Sequence, residues 1–241
     1  MAEKRLVWDL PLRAFHWLLV LCIVGMWVTA KADADYMNWL SSRVDLSWME
    51  WHFRIGYGVI GLLLFRLIWG VIGPRHARFA SFLPGPARLA AYVKTVLKRD
   101  STPTVGHNPA GAIMVVVMLG LIGTQAFTGL FTSDDIVWSG PYFPAVSAAL
   151  STKMGGLHHE VYEILLWVLG LHIAAIVFYR VYKRQNLVSA MISGTKPASQ
   201  VPANEAIPGS ELVKALIVAL VCAGAVYALV HFAPPPPELE Y

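Results

Sequence analysis

The stretch that decides the fold runs from residue 158 to residue 180 and reads HHEVYEILLWVLGLHIAAIVFYR. It is long enough to cross a membrane, because about 20 mostly apolar residues span the roughly 30 Å hydrocarbon core. Segments of the same kind lie at 11–30, 52–72, 110–131 and 212–233. The sequence therefore predicts an all-α integral membrane protein with five spanning helices.

The composition agrees with a membrane protein. Of the 241 residues, 56% are hydrophobic and 14% are charged. The apolar fraction excludes a disordered chain, and the net charge of +4 is spread too evenly for a nucleic-acid-binding arm. Cys22 and Cys222 both lie in apolar stretches, so we expect them to be buried packing residues, with neither a disulfide nor a thiol catalyst.

The distribution of Lys and Arg predicts the orientation, because the cytoplasmic flanks of membrane proteins collect basic residues. One side of the predicted helices carries fourteen Lys and Arg residues, whereas the other side carries Lys31, Arg43 and Lys153. We therefore expect the amino terminus in the cytoplasm and, after five crossings, the carboxyl terminus outside.

Composition also divides the chain. Residues 1–195 are expected to form a four-helix transmembrane bundle, residues 196–210 a linker with prolines, and residues 211–241 a fifth helix with a Pro-rich tail. Between the second and third spans, residues 86–99 place apolar side chains on one helical stripe, which predicts a short helix on the membrane surface. The stripe consists of Leu89, Tyr92, Val93, Val96 and Leu97.

Two of the spans carry helix-start signals. Asp9 precedes Pro11 at the first span, and Asn108 precedes Pro109 at the third. Asp and Asn side chains cap the first turn of a helix, and proline is favoured there. We therefore expect helices to begin at these two places.

Histidines at membrane depth are the main functional signal, because ionisable side chains are costly there. Four of them stand out: His16, His52, His158 and His172. The last two are fourteen residues apart, which places them on nearly the same face of one helix, about 21 Å apart along its axis. His159 lies about 140° away from His172 around the helix and is expected to face elsewhere.

Two imidazoles about 21 Å apart cannot share a metal ion, so each needs its own partner. His52 lies at the level of His158, and His16 lies at approximately the depth of His172. Haem iron accepts two axial imidazoles, and the facing helices of a bundle can supply them. The pattern predicts two bis-histidine haems, with His16 and His172 on the cytoplasmic side and His52 and His158 on the outer side. The chain has no Cys-x-x-Cys-His motif, so these would be haem b.

Other residues near these positions have two interpretations. A single intramembrane histidine is more often a packing residue, and the pairing in two layers favours ligation instead. Arg13, Arg54 and Arg66 are either candidates to pair with haem propionates or side chains that snorkel to the interface. Three histidines at span ends or in loops are expected to be solvated or interfacial: His76, His107 and His231.

Short motifs accompany the histidines. They read RAFHW (13–17), HFRIGY (52–57), FRLIWG (65–70), GPRHARF (73–79) and GHNPAG (106–111). Together with His158 and His172, these motifs resemble the bacterial cytochrome b561 family, which is related to the b-type cytochrome subunit of nickel-iron hydrogenases. The resemblance covers about residues 5–195.

The resemblance implies a di-haem b cytochrome of the bacterial cytoplasmic (inner) membrane, with the four histidines as axial ligands. Such a protein is expected to be an electron-transfer subunit of a respiratory chain rather than a stand-alone catalyst. It exchanges electrons between the quinone or quinol pool and an extracytoplasmic redox partner, such as a c-type cytochrome or an oxidoreductase subunit. Many relatives have His-Glu where this chain reads His158-His159-Glu160, and helical phase favours His158 as the ligand.

Two other functions are compatible with the sequence. A stand-alone superoxide:quinone oxidoreductase, suggested by some family members, would need a basic funnel near the outer haem, whereas the outer loops 32–50 and 132–156 are acidic. Those acidic, aromatic loops would suit a cationic redox protein, or they form an ordinary interfacial belt. A haem-free transporter or scaffold is the third interpretation, and an absorption spectrum separates it from the others.

Overall fold

The computed structural model describes residues 3–31, 47–99, 103–134 and 138–235. The predicted acidic loop 32–50 lies outside the described residues up to position 46, as does the Pro-rich tail from residue 236. In chain order the helices are α1 (Leu10–Lys31), α2 (Trp48–Ile72), α3 (Phe79–Phe82), α4 (Pro86–Val93), α5 (Pro109–Gly129), α6 (Ala148–Val181), α7 (Leu187–Ser193) and α8 (Leu212–His231). Two short strands are β1 (Lys4–Leu6) and β2 (Thr195–Pro197).

Within the described ranges, five helices are long and apolar enough to cross a membrane, namely α1, α2, α5, α6 and α8. Many of their apolar side chains point away from the protein, with Trp167 81% and Val213 76% exposed. Such exposed apolar side chains are suited to contact with lipid. Lipid offers no hydrogen-bond partner to backbone N–H and C=O groups, and this favours helices because they pair these groups internally. The prediction of an all-α membrane protein with five spans is confirmed.

Side-chain caps begin α1 and α5 as the sequence predicts. The Leu12 backbone N–H donates to Asp9 Oδ1 (3.0 Å), and the Gly111 backbone N–H donates to Asn108 Oδ1 (2.7 Å). Each bond satisfies one of the backbone N–H groups that the first turn of a helix leaves unpaired.

Two other helices begin earlier than predicted because serines cap them. Ser47 and Glu50 form a reciprocal capping box, in which the Glu50 N–H donates to Ser47 Oγ (3.1 Å) and the Ser47 N–H donates to Glu50 Oε2 (2.8 Å). At α6, the Leu150 N–H donates to Ser147 Oγ (3.3 Å). This helix has 34 residues, ten more at its start than predicted, and is about 51 Å long, so it extends beyond the hydrocarbon core.

The described chain divides into two compact units. Unit A consists of the described residues within 1–15, 65–120 and 165–218, and unit B consists of those within 16–64, 121–164 and 219–241. The spanning helices contribute residues to both units.

In unit A the segment near the amino terminus contacts the segment that follows α7. Strands β1 and β2 pair antiparallel, with Arg5 opposite Lys196. The segment predicted as a linker, 196–210, is packed here: Val201 is fully buried, and the Ile207 N–H donates to the Leu6 carbonyl (3.0 Å). This pairing joins residues about 190 positions apart, and no local sequence pattern predicts it.

The predicted surface helix is α4, which is shorter than the 86–99 stretch. Leu89 and Tyr92 on its apolar stripe are half-buried, whereas Val93 and Leu97 are 60% and 72% exposed. The Tyr92 hydroxyl hydrogen-bonds the Tyr179 hydroxyl (2.6 Å), which ties this segment to α6 within unit A. Exposed apolar side chains beside an anchored tyrosine suit a membrane surface.

The fifth spanning helix, α8, buries only one stripe. Ala215, Val218 and Cys222 are buried, and most other apolar side chains on α8 are exposed. In unit A the Lys214 ammonium donates to the Ile72 carbonyl (3.2 Å), and in unit B the Tyr142 hydroxyl donates to the Leu229 carbonyl (2.9 Å). Both cysteines are free thiols, with Cys222 buried and Cys22 half-buried.

Candidate functional site

In unit B the imidazole of His52 is held by a threonine of the neighbouring helix. His52 lies near the start of α2, and Thr29 lies in the last turn of α1 with 8% of its surface exposed. Thr29 Oγ1 is 3.0 Å from His52 Nδ1 and 2.8 Å from the Gly25 carbonyl oxygen.

His158 has the same kind of support. It lies on α6, and fully buried Thr128 lies near the end of α5. Thr128 Oγ1 is 3.1 Å from His158 Nδ1 and 2.8 Å from the Thr124 carbonyl oxygen. His158 Nδ1 is also 3.1 Å from the Gln125 carbonyl oxygen.

These contacts determine where the imidazole proton lies. A carbonyl oxygen can only accept, so the bond to Gln125 requires His158 Nδ1 to carry the proton. The Thr29 hydroxyl uses its one proton on the Gly25 carbonyl, so its oxygen accepts from Nδ1–H of His52. In both rings Nε2 is left with its lone pair free to bind a metal.

The space beside these rings is also suited to a ligand-binding histidine. A Cβ at Gly129 would lie 3.2 Å from His158 Cε1, so only glycine leaves the ring unhindered there. His52 on α2 and His158 on α6 both belong to unit B. Two neutral imidazoles with free Nε2 atoms are the donor set that axial haem ligation requires, and the residues therefore fit a bis-histidine haem.

His159 does not share this environment. Its side chain is exposed, whereas His158 is half-buried, and the two rings meet edge to face at 6.3 Å. The helical phase of α6 therefore separates the two neighbouring histidines as the sequence analysis expected.

The other two predicted ligands fall into different units. His16 is half-buried in unit B, with its ring edge to face against Trp17 at 5.0 Å. His172 is half-buried on α6 in unit A. Their ligation of a second haem stays a prediction from the sequence.

The three candidate arginines differ in their surroundings. Arg13 donates from Nη1 to the Ile192 carbonyl, and Arg54 is exposed. Arg66 is 2% exposed; its Nη1 donates to the Ala77 carbonyl (3.1 Å), and its guanidinium lies over the Phe79 ring at 4.4 Å. Of the two interpretations, snorkelling does not apply to Arg66, because the side chain is enclosed by protein.

A polar cluster in unit A is the main feature that sequence reasoning missed. Asp9 is 1% exposed, and its Oδ1 accepts from Trp69 Nε1 (2.9 Å) as well as capping α1. Burial raises the pKa of the Asp9 carboxyl, although its hydrogen bonds and the nearby Arg66 oppose that shift. His76 is 7% exposed and donates from Nε2 to the Glu205 carbonyl (2.8 Å), so the expectation that it is solvated is wrong.

His107 was also expected to be solvated, and it is not. Its ring packs between Trp8 at 4.7 Å and Phe82 at 4.4 Å, and its Nδ1 is buried without a hydrogen-bond partner among the described residues. Burial, followed by the positive charges of Arg66 and Lys196, lowers the pKa of His107 to about 3. Burial also lowers the pKa of Lys196 to about 8. By contrast, His231 is exposed.

Thr29 and Thr128 are functional candidates that the sequence did not reveal. A threonine in a helix ordinarily bonds the carbonyl four residues back, so its presence in an apolar helix is unremarkable. The available signal was depth, because each threonine lies near the end of a helix at which a neighbouring helix carries a histidine. Within the part of the chain that the structure describes, no group of three or more His, Cys, Asp or Glu residues could hold a metal ion.

Comparison with known proteins indicates a family of membrane cytochromes. A sequence model described as prokaryotic cytochrome b561 matches residues 7–194. A "Probable Ni/Fe-hydrogenase B-type cytochrome subunit" of Azotobacter vinelandii is 26% identical over 209 residues, which cover 78% of this chain and 86% of that protein. A protein of the same description from Bradyrhizobium diazoefficiens is 24% identical, covering 79% of this chain and 85% of its own length.

A shorter match involves a "Probable Ni/Fe-hydrogenase 1 B-type cytochrome subunit" of Escherichia coli strain K12. It is 28% identical over 116 residues, or 43% of this chain and 49% of that protein. The family match at residues 7–194 covers well over half of the 241-residue chain. The chain therefore belongs to the prokaryotic cytochrome b561 family of transmembrane helical bundles, b-type cytochromes that carry electrons in membranes.

Proposed function

We propose that this protein is a di-haem b-type cytochrome that transfers electrons between the membrane quinone or quinol pool and an extracytoplasmic redox protein. The observation that carries the proposal is the His52–His158 pair of unit B. Each ring uses Nδ1–H on oxygen acceptors, which leaves Nε2 for iron. In a family of b-type cytochromes, such a pair is suited to hold one haem b.

The second haem is assigned to His16 and His172, from the sequence. Arg13 and Arg54 are assigned to the propionates, because guanidinium groups form strong charge-assisted bonds with carboxylates. When bound, each haem supplies one-electron exchange at its iron. Two histidines to each haem would hold its iron and leave no open site for other small ligands, which would favour electron transfer over oxygen chemistry.

The chain's own residues fix the geometry of the His52–His158 site. Thr29 and Thr128 hold the rings from the neighbouring helices, and Gly129 keeps the approach to His158 open.

We further propose that the protein lies in the bacterial cytoplasmic membrane with its amino terminus inside and its carboxyl terminus in the periplasm. The excess of Lys and Arg on one side supports this orientation. It puts the His52–His158 haem towards the outer face and the His16–His172 haem towards the cytoplasm. Residues 1–195 would be the haem-binding part, 196–210 its connector and 211–241 an additional anchor.

The relatives favour one kind of partner. Their descriptions name b-type cytochrome subunits of nickel-iron hydrogenases, so we propose an extracytoplasmic oxidoreductase subunit of that kind. A c-type cytochrome is the other candidate, because acidic outer loops would attract a basic surface. Of the outer acidic residues, Asp134 and Glu50 lie in the described part of the chain.

Haem content and quinol oxidation test this function. In the pyridine haemochrome assay, the purified protein should contain two haem b per chain. In liposomes, a short-chain ubiquinol or menaquinol should reduce both haems, and a periplasmic acceptor such as a soluble c-type cytochrome should reoxidise them. A colourless protein or one with a single haem would contradict the proposal, and reduction by superoxide but not by quinol would indicate the superoxide:quinone oxidoreductase instead.

A further inference from the structure

Thr29 and Thr128 contact the two imidazoles of unit B in the same way. Each hydroxyl hydrogen-bonds the carbonyls four and three residues earlier on its own helix, Gly25 and Met26 for one, Thr124 and Gln125 for the other. The Gln125 carbonyl also accepts from Nδ1–H of His158 (3.1 Å). One helix pair thus repeats the arrangement of the other.

The direction of these hydrogen bonds is fixed. Each threonine hydroxyl donates its single proton to a carbonyl of its own helix, which leaves the oxygen as the acceptor for imidazole Nδ1–H. A chain of bonds therefore runs from Nδ1–H to the hydroxyl and on to a backbone carbonyl. Such a chain partially polarises the imidazole, which makes Nε2 a stronger electron donor.

A bond from a helical threonine to a carbonyl of its own helix is common by itself. Thr152 of α6 makes one, donating to the Ala148 carbonyl at 3.0 Å, but its side chain is exposed. Thr29 and Thr128 differ because both are buried and both add a bond to a histidine ring. Thr152 therefore offers a matched control.

We propose that Thr29 and Thr128 are positioning residues that hold His52 and His158 in the Nδ1–H tautomer and lower the reduction potential of the haem that this pair binds. The inference rests on the proposed function. It goes beyond it by giving the threonine hydroxyls a defined effect on the iron, exerted through the histidines. Stronger donation from the ligands stabilises ferric over ferrous iron, so removing a hydroxyl should raise the potential.

The test compares valine and serine variants of the purified holoprotein. Thr29→Val and Thr128→Val keep the side-chain shape and remove the hydroxyl, Thr29→Ser and Thr128→Ser keep it, and Thr152→Val is the control. Each variant is titrated redox-spectroscopically, with the haem content measured in parallel. We expect each valine variant to raise the midpoint potential of one of the two haem transitions. At a fixed potential the ratio of reduced to oxidised haem should increase about fivefold, which corresponds to about 40 mV at 59 mV per tenfold.

The other haem transition should stay in place, the serine variants should match wild type, and the Thr152→Val variant should change neither transition. Unchanged potentials in both valine variants with two haems bound would overturn this inference and leave the proposed function intact. A wild-type protein without two haems would overturn the proposed function itself.

A valine variant that does not fold leaves a second measurement on the wild type. In the reduced, diamagnetic protein labelled with ¹⁵N-histidine, NMR should show two slowly exchanging Nδ1–H groups for the His52–His158 pair. Rapid exchange of these protons would contradict the positioning role, whereas protonation at Nε2 would contradict the proposed binding of iron by that ring.

Discussion

The environment of His107 predicts a specific acid sensitivity of the fold. The ring is enclosed by Trp8 and Phe82, and its pKa is lowered to about 3 by burial and by the charges of Arg66 and Lys196. In the unfolded chain the pKa of histidine is about 6.5. Between these two values the unfolded state binds a proton that the folded state does not, so stability falls as the pH falls.

The magnitude follows from the two pKa values. At pH 7.5 histidine is neutral in both states, and the cost is close to zero. A pH of 5.0 lies about 1.5 units below the pKa of histidine in the unfolded chain. Proton binding to the unfolded state therefore lowers the free energy of unfolding by about 2 kcal/mol. A His107→Phe variant preserves the ring packing and removes the proton site.

The assay is thermal unfolding of the detergent-solubilised holoprotein at pH 7.5 and pH 5.0, for wild type and His107→Phe. Because Nδ1 has no hydrogen-bond partner among the described residues, the variant should match or exceed the wild-type stability at pH 7.5. It should lose about 2 kcal/mol less than wild type on acidification. An equal loss in both proteins would refute the argument, and an exposed-site variant, His231→Phe, should follow the wild type.

Two further predictions concern the packing of each unit. Asp9→Ala removes the α1 cap and the acceptor of the Trp69 indole N–H, so the free energy of unfolding should fall by about 3 kcal/mol. Asp9→Asn keeps an acceptor oxygen and should retain most of the wild-type free energy of unfolding. Chemical or thermal unfolding measures both variants, and an equal free energy of unfolding in the two would contradict the assignment. Gly129→Val would place carbon against the His158 ring and should leave one haem per chain in the pyridine haemochrome assay, whereas Gly123→Val, where a Cβ meets no atom within 4 Å, should retain two.

The spans and two of the helix starts could be predicted because their causes are local. Apolar runs of sufficient length give the five helices, and Asp9 and Asn108 cap within three residues of their own position. The helix α6 was predicted too short, since Lys153, Gly155 and Gly156 lower the hydropathy of its first turns. Hydropathy predicts the part of a helix that lies in the membrane, whereas the cap at Ser147 determines where α6 begins.

Other features depend on contacts between distant residues. The pairing of β1 with β2 and the packing of Val201 join the two ends of a long stretch of chain. The neutral state of His107 comes from aromatic rings at two other positions, and a loop histidine by itself is expected to be solvated. For the histidine pair of unit B, periodicity predicts which ring of 158 and 159 points inward, but not the threonine behind it.

The haem stoichiometry of a matched pair of variants decides whether His52 and His158 bind one haem b between them. His158→Ala and His159→Ala change adjacent residues of α6, one half-buried and hydrogen-bonded, the other exposed. In the pyridine haemochrome assay we expect one haem per chain for His158→Ala and two for His159→Ala. Two haems in the His158→Ala protein, or the loss of one in His159→Ala, would contradict it.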